Sequence, residues 1–334
     1  MEHKKEFVPG FDWVKLIGCI VIAAHHLLPR RLPSSPATFP RSFSSIIPVF
    51  FLMSGYLMHL SLERRKDPVH YMHRYILRYG AVYFVLNLFA NILHYLQIYQ
   101  QTGVLMIKDF LLVMCSLPLW QGPMYQLWFI PALILGMYCA VHAFLHRKEL
   151  LYGALLIPTT AAVILFSTYG VPFFGFSAAD FSYAYHAVVL QHFTQGLTFV
   201  YLGMLLARYR SSSINLALFF FSSLAVLIAE TLCAARILSD SSALHAFSFS
   251  QYFISVLLFL LILRIPGSFL QKHHRMINSF SVLMYLLHPL QYNLFKTWIP
   301  DPYLLFPLVI LLNAAAAFAL LTLKTYIRKH YHGF

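Results

Sequence analysis

Four ionisable residues interrupt one apolar stretch, FDWVKLIGCIVIAAHHLL at 11–28: Asp12, Lys15, His25 and His26. Histidine titrates near neutral pH and suits the task of taking a proton from a weakly nucleophilic hydroxyl. Lysine offers a compact positive charge to an anion such as phosphate. Helical geometry sorts these candidates. Eleven residues separate Lys15 from His26, which at ~1.5 Å and ~100° per residue sets them about 16 Å apart and within about 20° of one face. His25 is turned roughly 80° from the Lys15 face, so His26 is the expected general base. The competing reading makes Asp12 and Lys15 an interfacial i,i+3 ion pair and the two histidines a polar helix end.

Further candidates stand elsewhere in apolar context. His94, His192 and Glu230 are isolated within hydrophobic segments, and Glu230 is expected either to orient a histidine or to hydrogen-bond a neighbouring helix. Ser54-Gly55 breaks an aromatic and aliphatic run, where glycine admits close approach of a backbone or a ligand and serine offers a hydroxyl; a small-residue helix contact is the alternative. Trp128 opens another apolar run and suits either a site or an interfacial anchor. The basic stretch ERRKDPVHYMHRYILR at 63–78, with Arg64, Arg65 and Arg74, is where donor phosphates would be sought, though positive charge beside an anionic leaflet serves topology as well. The segment 169–191 holds Phe173, Phe174, Phe176, Phe181, Tyr183 and Tyr185 without lysine or arginine, fit to stack on sugars or to join an interfacial belt. Four scattered cysteines, Cys19, Cys115, Cys139 and Cys233, form neither a metal-ligand spacing nor a disulfide framework, and no metal is expected.

The elements that must position these residues follow from composition. Of 334 residues 60% are hydrophobic and only 10% charged, with mean hydropathy +0.69, whereas a soluble globular chain carries about 25% charged residues. The lipid bilayer is therefore the expected solvent, which excludes nucleic acid as a partner, soluble enzymology and intrinsic disorder. Spanning ~30 Å of hydrocarbon takes ~20 apolar residues, and windows of that size fall at 11–29, 42–61, 76–98, 127–146, 150–168, 192–209, 214–236, 246–264, 277–298 and 303–325. The segment within 99–126 is short for a span and reads as interfacial or re-entrant. The amino-terminal run has no AxA-like cleavage site, so the first helix is expected to remain. With the N-terminus inside, 17 Lys and Arg fall on inner segments and six on outer ones, Lys15 lying within a span. The positive-inside rule then puts both termini in the cytoplasm, and most of the net charge of +13 is topology. No internal repeat or linker divides the chain, so one membrane domain, 1–334, without an appended soluble domain is expected.

The residues taken in order, Asp12, Lys15 and His26, FFLMSGYLM at 50–58, QLWFIPAL at 126–133 and SFSVLMYLLHPL at 279–290, resemble the membrane-bound acyltransferase family 3. The resemblance implies an all-α bundle of about ten membrane helices in the cell membrane. It also implies O-acylation, most often O-acetylation, of a cell-envelope polysaccharide or lipid-linked glycan, with acyl-CoA, acetyl-CoA in preference to other acyl-CoA, as donor substrate. The family pattern places its basic residue on Lys15, where arginine is usual, its histidine on His26, and further motif residues on Ser54, Gly55, Trp128, Phe129, His288 and Pro289. Read together, His26, Glu230 and His288 form the expected catalytic set, and Lys15, Arg64, Arg65, Arg74, Ser54 and Trp128 the expected donor-binding set. The rival reading is a transporter or flippase exporting a polysaccharide precursor, since buried histidine, glutamate and lysine also serve proton-coupled transport; paired, broken spans would favour it and are not seen.

The orientation is testable by single cysteines in a chain whose four native cysteines are replaced. Asp180→Cys should react strongly with a membrane-impermeant thiol reagent applied to intact cells, and Lys148→Cys should not. The reverse pattern would invert the topology.

Overall fold

The computed structural model describes residues 8–28, 46–104, 106–116, 125–170, 174–175, 181–209, 215–237, 248–266, 270–296 and 298–331. These are almost entirely helical: α1 (Pro9–Leu27), α2 (Ile46–Leu62), α3 (Pro68–Thr102), α4 (Ile107–Ser116), α5 (Phe129–Leu145), α6 (Glu149–Ser167), α7 (Phe181–Arg208), α8 (Leu216–Ile237), α9 (Phe249–Leu263), α10 (His274–Phe295) and α11 (Pro302–Tyr331), with a 3-10 turn at Tyr125–Trp128 leading into α5. Each of the ten apolar windows overlaps one of these helices. Six of them are long and apolar enough to cross a membrane, within Pro9–Leu27, Pro68–Thr102, Gln126–Leu145, Glu149–Ser167, Tyr185–Arg208 and Pro302–Ile327, and the helices at Ile46–Leu62, Leu216–Leu232 and Phe249–Leu263 are shorter apolar ones. The short segment after α3 is the ten-residue α4, about half the length a span requires. Residues 176–180 of the aromatic segment, with Phe173 and the arginines Arg30, Arg31 and Arg41, lie outside the described residues.

The chain divides into two units, residues 1–47 with 261–334, and 48–260. The first is built on α1, α10 and α11. Cys19, Ala23 and Leu27 recur every fourth residue on α1, as do Phe280 and Met284 on α10 and Leu305 and Val309 on α11, so each helix presents one apolar stripe and the three stripes meet in a buried cluster. Gly10 allows the Ile262 carbonyl to approach α1 so closely that a Cβ there would overlap it. Asn313, fully buried on α11, donates to the Gln291 side chain of α10 at 2.7 Å and to its own Val309 carbonyl at 2.8 Å.

In the second unit α7 is the helix the others grip. A Cβ on Gly55 of α2 would overlap the Val200 carbonyl of α7, and one on Gly203 of α7 would overlap the Leu52 carbonyl of α2; Gly136 of α5 and Gly196 of α7 stand in the same relation through the Gly196 and Ala132 carbonyls. Hydrocarbon supplies no hydrophobic drive between helices, so their association rests on close van der Waals contact and interhelical hydrogen bonds, and small residues permit the former. The hydrogen bonds join α6 to α7: the Thr160 and Thr198 hydroxyls lie 2.9 Å apart, the Tyr201 hydroxyl donates to the Glu149 carbonyl at 2.6 Å, and Arg208 pairs with the Glu149 carboxylate. Tyr252 of α9 stacks on Phe199 of α7 at 4.5 Å.

Because backbone cannot move aside as a flexible side chain can, Gly203→Ala and Gly55→Ala should each destabilise by about 1–3 kcal/mol. At Gly80 of α3 the nearest atom to a new Cβ is the Ile134 methyl, 3.8 Å away, and Gly80→Ala should be neutral or stabilising by up to about 1 kcal/mol. Melting temperatures of the three detergent-solubilised variants provide the comparison.

Candidate active site

The first unit brings two of the expected catalytic residues together. His26 of α1 and His288 of α10 stack with ring centroids 5.5 Å apart and planes 22° from parallel. His25 meets His26 edge-on at 5.2 Å. His26 is half-buried, whereas His288 is only 1% exposed. The His288 Nδ1 lies 2.7 Å from the Met284 carbonyl oxygen one turn back. A carbonyl only accepts, so Nδ1 carries the proton, and in the neutral ring Nε2 is then an acceptor. Among the described residues Nε2 has no hydrogen-bond partner. Pro289 follows directly and has no N–H to continue the helical ladder, a local break in α10 beside this ring.

At the other end of the same two helices lies a second polar contact. Asp12, 1% exposed in the first turn of α1, receives the Nδ1 of His274 at 2.9 Å on Oδ1 and 2.8 Å on Oδ2, and Lys15 Nζ stands 3.6 Å from Oδ1. The i,i+3 ion pair weighed from the sequence is thus present, but as the looser of two contacts. His274 was not among the residues the sequence singled out. A signal for it exists in the spacing: Asp12 and His26 are fourteen residues apart on α1, and their partners His274 and His288 are fourteen apart on α10. Two heptads is the repeat of a parallel seam between supercoiled helices.

The remaining expected site residues lie in the second unit. Trp128, 9% exposed at the start of α5, stacks flat on His192 of α7 at 3.7 Å and 9°. Phe51 of α2 packs beside it, against Phe129 at 4.2 Å and Trp128 at 6.0 Å. Ser54 is half-buried next to Gly55, whose own contact is the close helix crossing with α7, so the Ser-Gly pair does serve helix packing. Arg64, Arg65 and Arg74 are exposed, and the Arg65 guanidinium lies over the Tyr71 ring at 4.9 Å. Glu230 of α8 has partners other than a histidine: its carboxylate accepts from the Tyr169 hydroxyl and from the Phe249 and Ser250 backbone amides at 2.9 and 2.8 Å. A carboxylate on the first amides of α9 satisfies donors that a helix start leaves unpaired and meets the positive end of its dipole.

A helical membrane protein with an apposed histidine pair on parallel helices is the class this geometry defines. Comparison with known proteins specifies it further. The model of the acyltransferase 3 family, described as an acyltransferase domain, matches residues 8–325. The chain belongs to this family. A curated protein of Enterococcus faecalis described as an amino-acid racemase is 25% identical over 144 residues, 41% of this chain and 19% of that protein. The chain thus spans about a fifth of that relative's length. No solved structure matches.

The capping geometry of Glu230 predicts that Glu230→Ala, which orphans buried amides, lowers stability by about 1–3 kcal/mol. Turnover per folded molecule should fall far less than it does for His26→Ala. Thermal melts read beside active-site-normalised rates check both.

Proposed function

We propose that this acyltransferase moves an acetyl group from cytoplasmic acetyl-CoA to a hydroxyl of an envelope saccharide or lipid-linked glycan at the outer face of the cell membrane, with both termini cytoplasmic. The observation that carries the reading is the His26–His288 pair, two histidines from distant parts of the chain apposed where α1 packs on α10, with His288 fully buried. Ionisable groups in such surroundings are costly and mark chemistry. His26, the more accessible ring, removes the acceptor hydroxyl proton as that oxygen attacks the thioester carbonyl. The C–O bond forms, the C–S bond breaks, and the departing CoA thiolate takes the proton back from the His26 imidazolium. His288 backs the His26 ring: its Nδ1–H is committed to the Met284 carbonyl, which holds the ring in place against its partner.

Lys15 supplies positive charge for the anionic donor, and Arg64, Arg65 and Arg74 are the cations assigned to its phosphates. Ser54 and Trp128 contribute to the donor path beside the α2–α7 crossing, while Glu230 acts by positioning the start of α9.

The test is transfer of labelled acetyl from acetyl-CoA by the full chain in vesicles loaded with saccharide acceptor. His26→Ala and His26→Gln should each cost about 10²–10⁴-fold in turnover, the usual loss for a positioned acid–base group. His25→Ala should cost much less, and His288→Ala should lie between. Near-native turnover by His26→Gln, or no transfer by the unaltered protein, would overturn the assignment.

A further inference from the structure

The two partners of Asp12 do not hold it equally. A charge-assisted N–H···O bond runs at about 2.7–2.9 Å. His274 meets that on both carboxylate oxygens, at 2.9 and 2.8 Å, whereas the Lys15 ammonium stops at 3.6 Å. Lys15 is one turn along the same helix, on the same face, with a flexible four-carbon stem well able to close that gap. The carboxylate, buried to 1%, is instead committed to the imidazole. A buried carboxylate needs a hydrogen-bonded partner, and here α10 provides it at its first residue. Among the described residues the ion pair of the Lys15 ammonium is this looser one with Asp12.

We infer that His274 is a positioning residue for the transfer reaction: by engaging both oxygens of Asp12, it keeps that carboxylate from capturing Lys15 and leaves the ammonium available to an anionic group of the acyl donor. The inference rests on the proposed role of Lys15 in donor binding. It adds a dependence of donor affinity on a residue far away in sequence, and it assigns Asp12 an inhibitory tendency that His274 restrains.

The consequence is a non-additive pattern. Removing His274 frees the carboxylate to pair with Lys15, so His274→Ala should raise the KM for acetyl-CoA about tenfold while changing kcat by less than about twofold, a tenfold change corresponding to about 1.4 kcal/mol. His274→Gln, whose amide nitrogen extends toward the Nε2 position and away from that of Nδ1, should behave the same way, and it keeps the bulk of the side chain should alanine prevent folding. His274→Asn, whose amide nitrogen takes the Nδ1 position, should restore most of the affinity. The decisive variant is the double substitution Asp12→Asn with His274→Ala. It also lacks the bond joining α1 to α10, yet it has no carboxylate to sequester Lys15, so its donor KM should return to within about threefold of the unaltered chain.

Purified full-length variants in vesicles, with acetyl-CoA varied at saturating acceptor, provide the measurement. A double variant with a KM as high as or higher than His274→Ala would show that His274 serves only to join the helices and would overturn the inference. Lys15→Ala distinguishes that failure from failure of the underlying reading. If Lys15→Ala raises the donor KM and Lys15→Arg does not, Lys15 is the donor's cation and the double variant decides the role of His274. If Lys15→Ala leaves the donor KM unchanged, the reading of Lys15 falls and the inference falls with it.

Discussion

A buried ionisable side chain must find a partner, and α1 and α10 answer that requirement together. Each helix has two polar positions fourteen residues apart, and the helices run parallel, so one register satisfies both contacts: Asp12 with His274 at their amino-terminal ends, and His26 with His288 about 21 Å further along. Between the two polar contacts the seam is apolar, with Cys19 and Ala23 facing Phe280 and Met284, and α11 closes it with Leu305 and Val309. A slip of one turn would strand a carboxylate and two imidazoles among alkyl chains, at a cost of several kcal/mol for each unpaired group. The polar pairs and the apolar seam agree on one register, and that register brings the two histidines into contact.

The second unit meets that requirement by another route. Its helices are brought within backbone contact by glycine, reciprocally at Gly55 and Gly203 and again at Gly136 and Gly196. Close approach then places hydroxyls and charged groups within reach across α6 and α7, from Thr160 and Thr198 to the Glu149–Arg208 pair. Trp128 and His192 stack flat on this framework. Glu230 also acts in the framework, fastening α8 and Tyr169 to the first turn of α9.

Much of this architecture was legible in the chain because the bilayer imposes a simple rule: a span is a helix of about 20 apolar residues. Composition announced the membrane, and every apolar window overlaps a helix. The preference for His26 over His25 followed from ~100° per residue, a local property that holds before any helix meets another. The ion pair of Asp12 with Lys15 was foreseeable on the same ground, being three residues apart on one helix.

Sequence by itself determined the helices, their apolar stripes and the face each polar residue occupies, because those depend on neighbours along the chain. It did not determine which polar residues meet across helices. Glu230 could as well have oriented a histidine as capped α9, and the choice was made by where the amides of Phe249 and Ser250 arrive. His274 looked like one more basic residue near the end of a span, and it became the principal partner of Asp12 because tertiary packing starts α10 beside the first turn of α1. His288 stood on a short motif until the same packing laid its ring along that of His26. Hydrogen bonds and ring contacts form over a few ångströms between residues more than 250 positions apart, and only the fold brings such residues within that range.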